Sequence, residues 1–286
     1  MKNILITGTS TGVGYETAIL MAKHGYKVYA SMRDLSKATA LQQAIKADNL
    51  NIELLELDVT KADTIDKAVA QIIAQDGKID VLLNNAGAGF AKTTEQATQA
   101  EIDWVTDINY TGVVRMTKAV LPHMREARAG RIINMSSVGG LVGQPFNELY
   151  CAAKFAVEGY TEALASYITP SFNVWFTAIE PGGIATQFLT NATQKSLTAE
   201  GALATGEYTP IMQQYLGRMQ QRASTGEQTS FQTGIEVAQV ILQVIEMDKP
   251  PIRIRTSAWA ENFTHLKTQA DPDGSQLVAE VIRQFL

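Results

Sequence analysis

The chain has 286 residues, 45% hydrophobic and 19% charged, so it can bury a sizeable core and is neither a disordered nor a fibrous protein. Its net charge is −5 and its basic residues form no run, which argues against nucleic acid as a partner. With one cysteine, no Cys/His cluster at zinc-ligand spacing, no signal peptide and no apolar run of roughly 18 residues, the sequence predicts a cytoplasmic protein without a structural metal or a membrane partner.

Short β-branched segments alternate with longer amphipathic stretches along the chain. This alternation predicts an α/β fold in which a doubly wound, seven-stranded parallel sheet carries helices on both faces. No Pro/Gly/Ser-rich linker divides the chain, so we expect residues 1–286 to form a single domain. The predicted strands are Asn3–Thr7, Lys27–Ser31, Ile52–Val59, Val81–Asn84, Arg131–Met135, Asn173–Ile179 and Pro251–Arg255, and the main predicted helices are Tyr15–His24, Lys61–Ala74, Ile102–Met124, Ala152–Ile168 and Ile235–Met247.

A glycine-rich turn follows the first predicted strand. The residues of Thr7–Gly14, T-G-T-S-T-G-V-G, join that strand to the first predicted helix, where glycines let the backbone approach a pyrophosphate. The spacing departs from G-x-G-x-x-G, and glycines at such a position can serve as turn residues alone. The position between a strand and a helix favours a dinucleotide site.

The same turn also fits G-x-S-x-G, the pattern of a nucleophilic serine in hydrolases. With Ser10 as the nucleophile, the base would have to be His24, His123 or His265. Only one predicted strand precedes Ser10, whereas a nucleophile elbow is framed by earlier strands and by an earlier loop that supplies an oxyanion donor. A serine hydrolase is therefore the less favoured alternative.

The end of the second predicted strand bears on the choice of dinucleotide. A carboxylate there normally binds the ribose 2′-hydroxyl of NAD, but this chain has Met32 followed by Arg33. Because a guanidinium group matches the geometry of phosphate, Arg33 favours the 2′-phosphate of NADP. Asp34 follows directly and opposes this interpretation, and the alternative is an exposed Arg33 without a ligand.

Two candidate catalytic residues lie four apart on a predicted helix. Tyr150 and Lys154 share one helix face, and an ammonium group near a phenol lowers the pKa of the phenol, which suits it to acid/base work near neutral pH. Ser137 lies just after the strand that ends at Met135, where its hydroxyl would hold a substrate carbonyl in line with the phenol. The alternative for Ser137 is a helix or turn cap.

Residues Gly183–Gly234 form a long insertion before the last sheet elements, rich in Gln, Thr, Ala and Gly. An insertion of this length predicts a partly helical lid over a substrate site rather than a structureless loop. A solvent-exposed helical hairpin is the alternative.

Through seven motifs the chain resembles the short-chain dehydrogenase/reductases, clearly over residues 2–190 and more loosely to the C-terminus. The resemblance implies a Rossmann-like fold and an NAD(P)-dependent oxidoreductase. The motifs are T-G-T-S-T-G-V-G at Thr7–Gly14, L-D-V at Leu57–Val59, N-N-A-G at Asn84–Gly87, I-N-Y-T-G at Ile108–Gly112, the interval from Ser137 to Tyr150, Y-C-A-A-K at Tyr150–Lys154 and P-G-G-I-A-T at Pro181–Thr186.

Carried over onto the matching positions, the resemblance implies a role for each residue. Tyr150 is expected to be the general acid/base, Lys154 to lower its pKa and hold the nicotinamide ribose, and Ser137 to orient the reacting oxygen. Asn109 is expected to complete the set by holding a water that links the lysine to solvent. The residues implied in cofactor binding are Gly8, Ser10, Thr11, Gly12, Val13, Gly14, Arg33, Asp58, Val59, Asn85, Ala86, Gly87, Tyr150, Lys154, Pro181, Gly182, Ile184 and Thr186.

The resulting hypothesis is reversible hydride transfer between NADP(H) and a carbonyl/alcohol pair, with NAD as the less favoured cofactor. A non-catalytic dinucleotide-binding sensor on the same fold is the alternative from a different functional class. The family also tends to form dimers or tetramers through its long central helices, here Ile102–Met124 and Ala152–Ile168. An apolar small-molecule substrate is expected from the side chains near the pocket, unless these pack the lid: Val138, Leu141, Val142, Phe146, Leu149, Phe188, Leu189, Tyr215 and Met219.

Overall fold

The computed structural model of the chain describes residues 1–185, 197, 201, 206–224 and 231–285, and leaves the side chains of residues 219, 220 and 222–224 undescribed. Seven strands form one parallel sheet: β1 (Asn3–Thr7), β2 (Lys27–Met32), β3 (Ile52–Glu56), β4 (Val81–Asn84), β5 (Gly130–Met135), β6 (Val174–Glu180) and β9 (Arg253–Arg255). Two short strands, β7 (Gly183–Ile184) and β8 (Phe231–Gln232), pair with each other outside this sheet.

The strand order across the main sheet is β3-β2-β1-β4-β5-β6-β9, and every neighbouring pair is parallel. The order reverses direction between β1 and β4, and open α/β sheets bind ligands at such a switch point, beyond the carboxyl ends of the strands. The predicted doubly wound, seven-stranded parallel sheet is therefore confirmed.

Helices cover both faces of the sheet. Along β1, Ile4 and Ile6 belong to the core cluster on one face, whereas Leu5 belongs to the cluster on the other. Burial on both faces explains why the central strands are apolar at almost every position. The helices among the described residues are α1 (Gly12–Lys23), α2 (Thr39–Asp48), α3 (Ala62–Asp76), α4 (Gln99–Thr106), α5 (Gly112–Ala127), α6 (Glu148–Phe172), α7 (Thr209–Ser224), α8 (Gly234–Glu246), α9 (Ala258–Thr268) and α10 (Ser275–Phe285).

Several predicted elements differ from the structure in extent; for example, the helix predicted over Ala152–Ile168 is α6, Glu148–Phe172. The helix predicted over Ile102–Met124 is α4 and α5 joined by a π-helical turn at Asp107–Thr111. The strand predicted to reach Val59 ends at Glu56, because Asp58 accepts hydrogen bonds from the backbone N–H and hydroxyl of Thr60 and turns the chain. No helix in the described part of the chain is both long and apolar enough to cross a membrane.

A buried row of polar side chains ties the centre of the sheet to α6. Asn84 on β4 donates to Asn134 Oδ1 on β5 at 2.8 Å, and Asn134 donates to Thr161 Oγ1 on α6 at 2.9 Å. Thr161 in turn donates to the carbonyl of Val157. These side chains are almost fully buried, so their hydrogen bonds replace those to water and fix how α6 sits on the sheet.

Replacing Asn134 by Ala should lower the free energy of unfolding by about 1–3 kcal/mol, because inside the core the Asn84 amide loses an acceptor and the Thr161 hydroxyl loses its donor. Urea unfolding followed by circular dichroism measures this loss. The matched control is Asn262→Ala at an exposed position of α9, which should stay within about 0.5 kcal/mol of the parent protein. An Asn134→Ala protein as stable as its control would contradict the role given to this row.

Candidate active site

A large cavity opens where the strand order reverses. Its volume is about 1530 Å³, above the roughly 300–1,000 Å³ of pockets that hold one drug-sized molecule. Its walls come from the loops after β1, β2, β3, β4, β5 and β6, together with parts of α6, α7 and α9. The cavity therefore has room for a dinucleotide and a second small molecule.

The turn after β1 needs its glycines. Gly8 and Gly12 have φ values of +73° and +64°, in the region that disfavours residues with a Cβ. A Cβ on Gly8 would lie 2.9 Å from Cα of Ala86, and one on Gly14 would lie 2.4 Å from the carbonyl oxygen of Gly8. Larger residues at Gly8 and Gly14 would push this turn away from its neighbours.

The turn presents the N-terminus of α1 to the cavity. The N-cap residue Thr11 makes no side-chain hydrogen bond to the first turn of the helix, and that turn contains no acidic residue. Its backbone N–H groups and the positive end of the helix dipole thus suit a phosphate. The predicted residues Ser10, Thr11, Gly12 and Val13 all line the cavity.

The end of β4 is fixed to the end of β1 by one threonine and one asparagine. Thr7 Oγ1 accepts from the backbone N–H groups of Asn85 and Ala86, each at 3.0 Å. The Asn85 side chain donates to the carbonyls of Thr7 and Gly8 at 2.9 and 3.0 Å. Asn85, Ala86 and Gly87, which are predicted to bind the cofactor, line the cavity, whereas the anchoring role of Thr7 was missed because only the folded chain brings it to β4.

A cationic pair lies at the end of β2. Arg33 and Lys37 are exposed and both line the cavity, and no ion pair among the described residues involves either. Asp34, whose charge opposed a phosphate at this position, accepts from the backbone N–H and hydroxyl of Ser36 at 3.0 and 2.6 Å and caps a short 3₁₀ turn. Sequence reasoning found Arg33 but missed Lys37, one turn further on.

The loop after β3 contributes a polar and an apolar residue. Asp58 lines the cavity and caps its own turn through Thr60, and the buried Val59 lines the cavity beside it. After β6, Pro181, Gly182 and Ile184 also line the cavity. The prediction for Thr186 lies outside the described residues.

Asn109 occupies the π-helical turn between α4 and α5. It is fully buried, its Oδ1 accepts from the N–H of Ala88 at 3.0 Å, and its Nδ2 donates to the carbonyls of Ala88 and Val105. A Cβ added to Gly87 would lie 2.9 Å from Asn109 Oδ1 and 3.6 Å from Lys154 Nζ. The structure thus brings Asn109, Gly87 and Lys154 close together, and because Gly87 has no side chain, the space beside Asn109 Oδ1 and Lys154 Nζ stays unfilled.

The remaining predicted catalytic side chains meet at the start of α6. Tyr150 and Lys154 both line the cavity, and Lys154 Nζ lies 5.7 Å from the centre of the Tyr150 ring. Lys154 Nζ also donates to the carbonyl of Met135, at the end of β5, at 2.8 Å. Ser137 caps a 3₁₀ turn by accepting a hydrogen bond from Gly139 N–H at 3.0 Å, and it also lines the cavity. Its role as a turn cap is therefore compatible with a position in the site.

Burial dominates the acid/base properties of these groups. It raises the pKa of Tyr150 to about 12, and a hydrogen bond with Ser137 partly opposes this rise. It also lowers the pKa of Lys154 to about 8, and the neighbouring Glu158 carboxyl group opposes that fall to the extent that it is ionised. At neutral pH the phenol therefore holds its proton and Lys154 is largely an ammonium. The expected lowering of the Tyr150 pKa by Lys154 stays a prediction.

Many of the side chains that line the cavity are apolar. Val138, Val142, Phe146 and Tyr215 line the cavity, whereas Leu141 and Leu149 do not. Phe188 and Leu189, and the side chain of Met219, lie outside the described part of the chain. Apolar lining residues that the sequence did not reveal are Trp104, Ile108, Met212, Leu216, Phe231 and the stacked pair Trp259 and Phe263 of α9, whose ring centres are 4.8 Å apart.

The arrangement does not support the hydrolase alternative. Ser10 lines the cavity at the start of α1, but none of His24, His123 and His265 lines it, and the ring of His24 contacts the carbonyl of Leu20. A nucleophilic serine needs a base within hydrogen-bond reach, and no histidine is there. Within the described residues no group of three or more His, Cys, Asp or Glu side chains is arranged to hold a metal ion.

Comparisons with known proteins agree with this geometry. The family model described as short chain dehydrogenase matches residues 2–197. The chain is 42% identical to 3-ketodihydrosphingosine reductase of Bacteroides thetaiotaomicron over 197 residues, or 69% of each protein, and 37% identical to human retinol dehydrogenase 8 over 97% of this chain and 88% of that one. The crystal structure of a variant of actinorhodin polyketide ketoreductase with NADPH superimposes with a TM-score of 0.77 and 26% identity, covering 91% of this chain and 97% of that one.

Lys154 should titrate well below the ordinary pKa of a lysine side chain, because its burial disfavours the charged form. With ¹³C-labelled lysine, we expect one side-chain resonance with a midpoint near pH 8, absent in Lys154→Met. Lys27 is the internal control, since its hydrogen bond to Asp76 raises its pKa and keeps it charged over this range. A Lys154 resonance that stays protonated to pH 10 would show that the buried site does not depress its pKa.

Proposed function

Since the chain belongs to the short-chain dehydrogenase family, we propose that it interconverts a carbonyl and an alcohol by hydride transfer, using NADP(H), on an apolar small molecule. The observation that carries this proposal is that Ser137, Tyr150 and Lys154 line the same cavity as a glycine turn and an uncapped helix N-terminus, with Asn109 buried beside Gly87 and Lys154. A sensor that only bound a dinucleotide would have no chemical need for the first group of residues.

The cavity fits a nicotinamide dinucleotide. The backbone of Ser10–Val13 at the start of α1 would hold the pyrophosphate. Asp58 and Val59 would lie beside the adenine, and Asn85–Gly87 would extend along the cofactor. Pro181, Gly182 and Ile184, with Thr186 as a further candidate, would hold the carboxamide end. When bound, the nicotinamide supplies the hydride that carbonyl reduction requires.

In the proposed reduction, the side chains at the start of α6 manage the proton. Ser137 holds the substrate oxygen beside Tyr150, and the Tyr150 hydroxyl gives its proton to that oxygen as the carbonyl carbon accepts the hydride. Lys154 binds the ribose hydroxyls and supports the phenolate that remains on Tyr150. Asn109 fixes the helix turn beside Lys154 and guides the returning proton. In alcohol oxidation the same proton moves back to Tyr150.

The preference for NADP(H) follows from the cationic pair at the end of β2. Arg33 and Lys37 line the cavity and form no salt bridge among the described residues, and the neighbouring Asp34 carboxylate accepts its hydrogen bonds from Ser36. Met32 occupies the position where an acidic side chain would select the 2′-hydroxyl of NAD. Two cations beside a 2′-phosphate thus favour NADP over NAD.

The substrate is proposed to be hydrophobic, because many of the side chains that line the cavity are aromatic or aliphatic. The names of the two relatives reported above, 3-ketodihydrosphingosine reductase and retinol dehydrogenase 8, support this proposal. Helix α7, which contributes Met212 and Tyr215 to the cavity wall, is proposed to be part of a lid formed by residues 183–234. The lid and the rest of the chain are proposed to form one domain of 286 residues.

Assembly is proposed to be a homodimer or homotetramer through α5 and α6. The exposed Phe155 and Tyr167 on α6 would be covered in such an assembly, which sedimentation velocity measures directly.

Replacing Tyr150 by Phe should lower turnover by roughly 10²–10⁴-fold, because the proton donor is lost while the ring remains. The measurement follows NADPH oxidation with a panel of apolar aldehydes and ketones, and NADPH binding by nicotinamide fluorescence, which should be unchanged. The matched control is Tyr160→Phe on the same helix, whose ring packs against Tyr110 outside the cavity. Full turnover in Tyr150→Phe would reject the catalytic role, and binding without oxidation by the parent protein would favour the sensor.

Arg33→Ala should weaken NADPH binding by about 10- to 100-fold and NADH binding by less than about twofold, since only NADPH carries the 2′-phosphate. Lys37→Ala should have a smaller effect in the same direction. Fluorescence titration with both cofactors measures the ratio, and Lys46→Ala on α2, an exposed cation away from the cavity, is the control. Equal losses for both cofactors would assign Arg33 a structural role.

A further inference from the structure

Two buried carboxyl groups lie behind the catalytic lysine, and the proposed reaction uses neither. Glu158 follows Lys154 by one turn on α6, and only 6% of its surface is exposed. Glu180, the last residue of β6, is completely buried. Burying two carboxylates is costly unless their charges are paired or one of them is neutral, so the pair requires a physical explanation.

The ends of three neighbouring strands bring these groups together. In the sheet register Met135 pairs with Ile179, and Ser136 N–H donates to the Ile179 carbonyl at 2.8 Å, so Glu180 lies beside Ser136. Glu180 also pairs in register with Arg255 on β9. Glu158 reaches this row from α6: a Cβ on Gly140 would lie 2.6 Å from Ser136 Oγ and 3.1 Å from Glu158 Cγ.

The charges around the pair are unequal. Glu180 Oε2 accepts from Arg255 Nη1 at 3.1 Å, and Arg255 Nη2 also pairs with Glu261 at 3.0 Å. From α6, Lys154 and Glu162 lie one turn either side of Glu158, and Glu162 pairs with Arg253 of β9 at 3.1 Å. Glu180 is therefore ion-paired with Arg255, whereas no described ion pair includes Glu158.

One oxygen on each carboxyl group lacks a donor. In the described part of the chain the Oε1 atoms of Glu158 and Glu180 are buried and receive no hydrogen bond from an N–H or O–H group. Burial, followed by the charge of Glu180 and a hydrogen bond between the two carboxyl groups, raises the pKa of Glu158 well above its usual range, although a hydrogen bond with Ser136 and the charge of Arg253 oppose this rise. Two ionised carboxylates cannot hydrogen-bond to each other, so a proton on Glu158 supplies the donor for the bond between them.

We propose that Glu158 and Glu180 share one proton behind Lys154, and that Glu158, as a neutral hydrogen-bond donor to Glu180, is a positioning residue that seats Lys154 and Tyr150. The shared proton ties α6 to the ends of β5 and β6, the strand ends that also carry the Met135 carbonyl bound by Lys154. The catalytic part of this inference rests on the function proposed above, whereas the shared proton does not.

Infrared spectroscopy of the free protein at pH 7 tests the shared proton without any substrate or cofactor. We expect the wild-type spectrum to contain the carbonyl stretching band of a protonated carboxylic acid, and Glu158→Gln to lack it. Glu162→Gln, one turn further along the same helix, is the matched control and should keep the band. An identical spectrum for wild type and Glu158→Gln would overturn the proposal, whether or not the protein proves to be a reductase.

Kinetics with an active member of the ketone panel test the positioning role. Glu158→Gln keeps a neutral donor, so we expect kcat within about twofold of wild type and an unchanged alkaline limb in the pH profile. Glu158→Leu removes the donor, and we expect kcat per folded molecule, corrected by circular dichroism, to fall at least tenfold. An alkaline limb displaced to lower pH in Glu158→Gln would instead identify an ionised Glu158 that balances the Lys154 charge, and wild-type kcat in Glu158→Leu would remove the positioning role.

Discussion

An ammonium group held inside the protein is the constraint around which this site is arranged. Lys154 is almost completely buried, and its described protein hydrogen bond goes to the Met135 carbonyl at the end of β5. A buried charge persists only where nearby dipoles or charges offset its lost hydration. The Met135 carbonyl at the end of β5 provides such a dipole, so α6 must pack against the sheet in the correct position before the site can form.

Several hydrogen bonds hold α6 and the strand ends in these positions. The Asn84–Asn134–Thr161 row joins β4 and β5 to α6 through the core, and Thr7 joins the end of β1 to the loop after β4. The π-helical turn places the Asn109 amide against the same loop from the other side. Each contact is a hydrogen bond between buried polar groups, which is expensive to break and narrow in its permitted geometry.

The parts of this protein that follow local rules could be predicted from its sequence. Buried parallel strands are continuously apolar, a strand-to-helix turn shows its glycines, and the four-residue spacing of Tyr150 and Lys154 puts both on one helix face. Hydrophobic periodicity alone does not predict the π-helical turn, because the apolar spacing continues across Asp107–Thr111. Lys37, Thr7 and the Trp259–Phe263 pair were missed because they reach their places in the site only through tertiary packing, and the aromatic pair lies far beyond the last motif in the sequence.

The position of Arg255 affects which parts of the chain can be exchanged between relatives. The short chain dehydrogenase match ends at residue 197, yet Glu180 takes its cation from β9, and that cation is held in turn by Glu261 of α9, the helix that carries the aromatic wall. The C-terminal third is thus not an independent specificity module joined to a finished catalytic core. A chimera that imported this third from a relative would replace the partner of Glu180 beneath α6 together with the aromatic pair of α9, so the two would be inherited as one unit.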